Sequence, residues 1–538
     1  MRRRQQHFVR SVAAITALAT VATALQWYHN PRQIDAEEPP QESTERHREL
    51  ISPQHVQVKK SWEHPGVYLW GSNSGKVVAP DSNEAHIKTP RRLSFFDNVL
   101  LRDIKLDRNF GAAIDEKGDL LQWGKAYSAA AKEPVRTLTG KNLVSCAISR
   151  DRIIALSSSG TVYSVPVSEK EQREGKKPAV SSWIPFMSTT DTISYRIRTP
   201  KELSWNEKVT GVASGLEHAL LLTSGGRVFS FASATQDFPS KGQLGIPGLT
   251  WESRPSGPFD LPREVPGLKG IAKMATGDNH SLLMDRAGRC FTFGDNSAGQ
   301  LGFEFNPSKL HYDAPTPLPT QDLYPGSEFK ASVTDIFAGG NTSFFTTEVL
   351  KPTAAGRGAS RLVEDTWAFG FGLTGQLGVG KWTHTQNTPV KVPALSGLTE
   401  YSERLGKIVP IKLAYISAGA THAAAVLDNM ANVDLNQAGE NDTNFGQDLL
   451  MWGNNEFYQI GTGKRTNVAT PQYIPELDET PESEKPSGLL DWGKQSVVKQ
   501  WHRMQLTPKQ KVRVEGRTVK MEQRVECGRG VTAVYSAV

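Results

Sequence analysis

The sequence predicts an all-β chain: a seven-bladed β-propeller closed by pairing its N- and C-terminal strands, with an N-terminal helical presequence or membrane segment in front. Three observations predict it. Two short half-motifs alternate along the chain, and each can be counted seven times. The spacing is regular where the copies are good, with Gly215, Gly277 and Gly339 each 62 residues apart. The first half-motif is of one kind and the last of the other, so the two ends of the chain complete one unit. An array of this kind is one domain whatever its length, because each repeat buries its faces only against its neighbours.

The N-terminus reads as an address. Arg2, Arg3, Arg4 and Arg10 make residues 1–10 a basic targeting region, and the first acidic residue is Asp35. Residues 11–30 form a hydrophobic, candidate transmembrane segment. No Lys, Arg, Asp or Glu occurs from Ser11 to Pro31, a stretch that as a helix spans about 31 Å, enough for a bilayer core. An Arg-rich, acid-free start fits mitochondrial import. Ala22-Thr23-Ala24 keeps a secretory cleavage site as the rival. Residues 31–61 combine Pro with many charges and read as a flexible linker. The propeller is expected over 62–538. With import, a single-pass or peripheral membrane attachment is expected. The charge rule puts the Arg cluster in the matrix, so a retained span would place the propeller on the other side. The expectation leans to a matrix propeller on function.

Composition excludes several classes. The chain has 38% hydrophobic residues and 47 Gly in 538, an ordinary globular mixture rather than a disordered or polytopic membrane chain. The net charge of +6 owes four units to the N-terminal Arg residues, so it does not argue for DNA. Cys146, Cys290 and Cys527 lack C-x-x-C spacing, which excludes a disulfide scaffold and a Cys₄ zinc site.

The first half-motif is an aromatic, a Gly and often a later G-Q-L-G. Its best copies run Phe293–Gly302 and Phe369–Gly378. Partial copies start at Trp70-Gly71, Trp123-Gly124 and Trp452-Gly453, and degenerate ones at Tyr163-Ser164 and Phe229-Ser230. The second is small–x–Gly–x–x–His before an apolar strand, as in Gly215 to His218, Gly277 to His280 and Gly419 to His422. Weaker copies lie at Gly339-Gly340, Phe110-Gly111, Cys146-Ala147 and Cys527-Gly528. Hairpin signals separate the halves at 115–119, 157–160, 223–226 and 285–288. The aromatics are expected to fill the contacts between blades. Each His is expected to tie a turn to a neighbouring backbone group.

These half-motifs resemble the regulator of chromosome condensation repeat, a seven-bladed propeller family, over about 62–538. With the leader, the chain looks most like fungal mitochondrial members, inner-membrane proteins linked to assembly of respiratory complex III. The resemblance implies a scaffold that assists assembly or stability of such a complex through protein contacts with its subunits or assembly factors. Two alternatives stay open: a guanine-nucleotide exchange factor for a mitochondrial GTPase, and a mitochondrial ribosome or RNA-binding assembly factor. The wedge by which the founding nuclear member acts on its GTPase cannot be placed on this chain.

No catalytic residues, metal ligands or cofactor are expected, and no enzyme with its own catalytic site. Gly461-Thr462-Gly463-Lys464-Arg465-Thr466 resembles a phosphate loop, but the first required Gly is Tyr458 and the hydroxyl position holds Arg465. Cys146 and Cys527 fill small-residue slots and are expected to pack. Insertions stand out at 168–208, 303–332, 379–410 and 428–448, the last acidic without Lys or Arg. The segment 491–529, with Trp492 and Trp501, carries a net +6. Within it Lys509, Lys511, Arg513, Arg517, Lys520 and Arg524 are the candidate partner-binding residues, for RNA, acidic proteins or lipid head groups. The alternation of Lys511 to Glu515 predicts a strand with one wet face.

Overall fold

The structure, a computed structural model, describes residues 53–538 except 182–187, 236–238, 251–258, 325–330, 353–359, 403–405, 430–445, 478–502 and 515. The basic region 1–10, the segment 11–30 and the linker up to residue 52 lie outside the described residues. So do Trp492, Trp501 and nearly all of the acidic insertion.

Four antiparallel strands make the repeating unit, as the alternating half-motifs predict. β3 (Leu101–Leu106), β4 (Gly111–Asp115), β5 (Leu120–Trp123) and β6 (Val135–Arg136) form the first such unit along the chain. β7 (Leu143–Ile148), β8 (Arg152–Ser157), β9 (Val162–Pro166) and β12 (Arg196–Ile197) form the next, with a small β10–β11 hairpin (Ala179–Ser181, Ser188–Thr190) in the first insertion. β13 to β16 (Val209–Ser214, His218–Thr223, Val228–Ala232, Arg263–Glu264) and β17 to β20 (Ile271–Thr276, His280–Asp285, Cys290–Asp295, His311–Pro317) repeat the pattern. β21 to β24 (Ala331–Gly339, Thr342–Pro352, Ser360–Gly372, Thr383–Lys391) follow, with a separate β25–β26 hairpin (Thr399–Ser402, Lys407–Pro410). β27 to β30 (Lys412–Ala418, His422–Asp428, Gln447–Gly453, Val468–Tyr473) come next, with β31 (Gln505–Leu506) beside β29. β32 (Gln510–Val514), β33 (Arg517–Cys527) and β34 (Val531–Ala537) complete the chain.

The two chain ends share a sheet. β34 pairs with β33 on one side and with β1 (Val67–Ser72) on the other, in the register Val67↔Tyr535 to Gly71↔Val531. β1 in turn pairs with β2 (His86–Arg92). The aromatic–Gly half at the start and the Gly-type half at the end therefore meet in one four-stranded unit, β33-β34-β1-β2.

The predicted hairpin turns form. The amides of Gly118, Gly160, Gly226 and Gly288 donate back to Asp115, Ser157, Thr223 and Asp285, and all four Gly have positive φ. The first strand of each unit leaves one edge unpaired, which would strand backbone donors. Side chains from the adjacent unit take several of them. Asp103 Oδ2 accepts from the Cys146 amide at 2.9 Å, Ser417 Oγ from Cys527 at 2.8 Å and Tyr415 Oη from Val525 at 2.9 Å.

The contacts between units correct one expectation. The motif His residues bond not to a backbone group but to a hydroxyl of the next unit. Nε2 of His218, His280 and His422 lies 2.9, 2.8 and 2.7 Å from Ser281 Oγ, Ser343 Oγ and Thr532 Oγ1. The last two hydroxyls donate onward to the carbonyls of Gln300 and Gln459. Those hydroxyls therefore accept from Nε2–H, and Nδ1 of His280 and His422, buried without a partner among the described residues, has no acceptor for a second proton, so these rings are neutral. The motif glutamines brace their own loops: Oε1 of Gln243, Gln300, Gln376 and Gln459 each accepts a backbone amide two residues upstream. The aromatics pack as expected. Trp452 Nε1 donates to Gln376 O and Trp70 Nε1 to Gln459 O, both at 2.8 Å.

Close approach explains a motif glycine. Gly340 has φ +54, and a Cβ there would sit 1.9 Å from the Ala420 carbonyl oxygen of the next unit. Backbone cannot yield as a flexible side chain can. Gly340→Ala is expected to destabilise the fold by about 3 kcal/mol or more, read as a lowered midpoint in thermal unfolding.

One boundary differs from expectation. The last part of the linker is a helix, α1 (Pro53–Glu63). Pro suits a first helical position, and Pro65-Gly66 stops the chain from continuing it. The helix is docked: Gln57 Nε2 donates to Arg503 O at 2.9 Å, Gln505 N donates to Gln57 Oε1, and Ser61 Oγ bonds Thr507 Oγ1. The linker expectation missed it because the helix is polar and gains its place from these tertiary bonds.

Candidate interaction surface

The motif geometry defines two ends of the molecule. In each unit the first strand meets the second at the Gly-type turn. The second strand then runs away, so its hairpin with the third lies at the opposite end. First strands of every unit line one central cavity of about 370 Å³.

At the glycine end the turns hold one another. The amides of Arg150, Leu216 and Asp278 donate to the carbonyls of Leu216, Asp278 and Gly340, and Ala420 N donates to Gly528 O. Arg529 spans this end. Its guanidinium contacts Asp278 at 2.7 Å and Asp107 at 3.4 Å. Deeper in the cavity Lys105 Nζ lies 2.9 Å from Glu526 and 3.5 Å from Asp103. Burial alone would depress Lys105, but Asp103 and Glu526 outweigh it and hold the ammonium well above its usual range. Neither cluster is legible in the sequence, since the pairs Lys105–Glu526 and Arg529–Asp278 join residues hundreds of positions apart. Each cation there is already neutralised, so the cavity is a braced interior. Among the described residues no His, Cys, Asp and Glu grouping suits a metal ion.

The opposite end carries several of the segments that leave the repeating pattern. β22 and β23 extend their hairpin past the usual turn, and the β25–β26 hairpin lies between β24 and β27 at the same end. α1 enters β1 there, and β33 starts there. Tyr401 and Ile408 face each other across β25 and β26 and are 65% and 56% exposed; Leu350 on β22 is also exposed.

The candidate basic residues gather on one hairpin at this end. β32 pairs with β33 in the register Gln510↔Met521 to Val514↔Arg517. Val512, Val514 and Met521 are buried on one face against Leu100 and Trp62, which gives the predicted dry face. Lys509, Lys511, Arg513, Arg517, Lys520 and Arg524 are all exposed. Lys511 lies directly across from Lys520, and Arg513 across from Thr518. Arg517 pairs with Glu116 at 2.8 Å and Arg524 with Glu522. Lys509, Lys511, Arg513 and Lys520 have no acidic partner among the described residues.

The other sequence features have packing roles. Gly461, in the phosphate-loop lookalike, sits against the Trp70 indole, where a Cβ would lie 2.8 Å from Nε1. The three Cys are free and buried, and burial pushes the Cys146 and Cys527 thiols well above their usual range. No described helix is long and apolar enough to cross a membrane.

Comparisons with known proteins agree with this architecture. The model of the regulator of chromosome condensation (RCC1) repeat matches residues 271–300, which cover β17 to β19 and the G-Q of the next loop. Protein FMP25, mitochondrial, of Saccharomyces cerevisiae is 27% identical over 440 residues, 77% of this chain and 66% of that protein. RCC1 domain-containing protein RUG3, mitochondrial, of Arabidopsis thaliana is 24% identical over 52% of this chain and 47% of its own length. The matched region thus spans just under two thirds of the first relative and about half of the second. A crystal structure of yeast RCC1 (Prp20) with Kap60 is similar in fold, with a TM-score of 0.54 and 16% identity, covering 90% of this chain and 92% of that one. Residues 271–300 thus match the regulator of chromosome condensation repeat, and the chain shares the propeller fold of the solved yeast RCC1.

Proposed function

We propose that this chain is a mitochondrial, inner-membrane-associated propeller scaffold that assists assembly or stability of a respiratory complex, complex III, through contacts made at its hairpin-bearing end. Seven blades in one closed ring hold that end rigid, with residues 62–538 as the propeller and 11–30 as the membrane segment. The names of two mitochondrial relatives support the compartment. The observation that carries the surface is the basic hairpin: six exposed cations on a two-stranded rib, four of them without an acidic partner among the described residues. Unpaired cations held on a rib are a surface built to meet something anionic. A scaffold needs binding surfaces and no catalytic groups, which fits a cavity whose charges are internally satisfied.

The test is purification of the tagged full-length protein from isolated mitochondria in mild detergent. Complex III subunits or their assembly factors are expected with it. Recovery instead of a GTPase that added nucleotide releases, or of ribosomal proteins, overturns the scaffold reading. The variant Lys511→Ser/Arg513→Ser/Lys520→Ser is expected to keep its melting temperature, because all three side chains stand in solvent. It is also expected to lower the amount of complex III at steady state.

A further inference from the structure

We infer that the anionic partner of the β32–β33 hairpin is the head-group layer of an acidic phospholipid membrane, so that the hairpin-bearing end of the propeller rests on the bilayer. The inference rests on the reading of this hairpin as a contact surface and names its partner.

Four observations point there. First, the charged face is a flat plane of single cations. Lys511 and Lys520 are paired directly across the two strands, with Arg513 two residues on and Lys509 two residues before. Like charges set opposite one another repel and disfavour the pairing. Mobile anionic head groups relieve that repulsion wherever they sit, without a matched docking geometry. Second, that face carries no ring on which a base could stack: its residues are Lys509, Lys511, Arg513, Thr518, Lys520 and Glu522, the last paired with Arg524. Single-stranded nucleic acid is read by aromatic platforms between basic residues, and this face lacks them.

Third, the same end of the molecule exposes an apolar rib. Tyr401 and Ile408 project as a cross-strand pair, and Leu350 stands on the neighbouring hairpin extension. A tyrosine with an aliphatic partner suits the boundary between head groups and acyl chains. Basic residues and exposed apolar ones on the same end of the molecule suit a surface that lies on a membrane.

Fourth, the chain enters the propeller at this surface. α1 is hydrogen-bonded to the segment just before β32 through Gln57 and Ser61, and Trp62 packs on the dry face of the hairpin. Upstream, Ser11 to Pro31 holds no charged residue. Only 21 residues, 32 to 52, separate that stretch from α1. With Ser11 to Pro31 in a bilayer, the hairpin stays at high effective concentration over the lipid. Each basic residue at an anionic surface is worth roughly a five-fold gain in binding. That gain is modest alone, and decisive for a surface already held nearby.

The experiment uses full-length protein reconstituted into vesicles of phosphatidylcholine alone or of phosphatidylcholine with phosphatidylglycerol. An amine-specific reagent labels lysines, and the rate is read at Lys511 and Lys520 by mass spectrometry, with the exposed Lys381 and Lys464, on loops at the glycine end, as references. The membrane segment is present in both vesicle types, so only the anionic component differs. Labelling of Lys511 and Lys520 is expected to slow about five-fold or more in the anionic vesicles, to recover in high salt, and to leave the references unchanged. Equal rates in the two vesicle types overturn the inference. A single Arg513→Ser substitution is expected to weaken the protection, whereas protection that survives it unchanged argues against electrostatic docking. If the triple hairpin variant loses its co-purifying proteins while the wild-type labelling rates stay equal, the lipid assignment falls and the scaffold reading stands. If neither moves, the hairpin is not a contact surface and both fall.

Discussion

Deleting residues 527–538 abolishes cooperative unfolding. β34 is the whole reason. All seven of its residues, Val531 to Ala537, are buried, and it lies between β33 and β1 rather than at an edge. Its removal uncovers Val67, Leu69, Trp70 and Val525, all in one core with Val531, Ala533, Val534 and Tyr535. Fully burying one large apolar side chain is worth about 1.5–3 kcal/mol, so the loss exceeds about 10 kcal/mol, comparable with the entire stability of an ordinary domain. Two strands, β1 and β33, would become open edges, and His422 would lose the Thr532 hydroxyl it bonds. Differential scanning calorimetry of the truncated chain is expected to show no cooperative transition. A transition as sharp and as hot as that of the full chain would mean that joining the two ends does not hold the fold. Thr532→Val is the milder control. It removes one hydroxyl, costs about 1–3 kcal/mol through the unpaired His422 and Gln459 groups, and should leave the melt cooperative.

The legible part of this molecule was what a repeat repeats. The order of half-motifs placed β1 beside β34, although 459 residues separate Gly71 from Gly530. Glycines marked the four hairpin turns, and alternation in Lys511 to Val514 marked one wet and one dry face. What was illegible shares a physical cause. The target of a motif His depends on which group of the next unit lies in reach, and only packing decides that; a hydroxyl at Ser281, Ser343 or Thr532 looks like any other strand residue. The Arg529–Asp278 pair crosses the cavity between units that are neither adjacent in sequence nor alike in it. α1 turns only Val58 and Trp62 toward the propeller, a stripe too short to announce a helix, and is held as much by Gln57 and Ser61. At the candidate surface the six cations were visible as composition. Their confinement to one hairpin, and the pairing of Lys511 with Lys520, needed the register.

Mild acid should weaken the protein well before its carboxylates titrate, and the motif histidines are the cause. Burial holds the imidazoles of His218 and His422 down at about 3 and that of His280 at about 4, with His280 adding to the depression at His218. Protonation has no place to go in the folded chain. Nε2 already donates, and Nδ1 of each ring is buried without a partner among the described residues, so a second N–H would be left unsatisfied. The unfolded chain takes up a proton at each His near 6.5. The folded state binds fewer protons than the unfolded one below that value, so stability is full above about pH 6.5 and falls as pH drops toward the folded values. At pH 5 each His costs about 2 kcal/mol, and the three together about 6. Glu207 acts in a lower window: the Arg227 hydrogen bond holds it at about 2, so its contribution is lost only below the ordinary carboxylate range. Glu364 and Glu526, pushed up by burial, oppose the trend, and for that reason the slope must be assigned by substitution. Urea unfolding from pH 7 to pH 5 is expected to show falling stability in the wild type. His422→Gln keeps a donor for Thr532 but cannot take up a proton, so it should remove about one third of the histidine share of that slope. A slope unchanged by this substitution would mean that His422 is already charged in the folded protein.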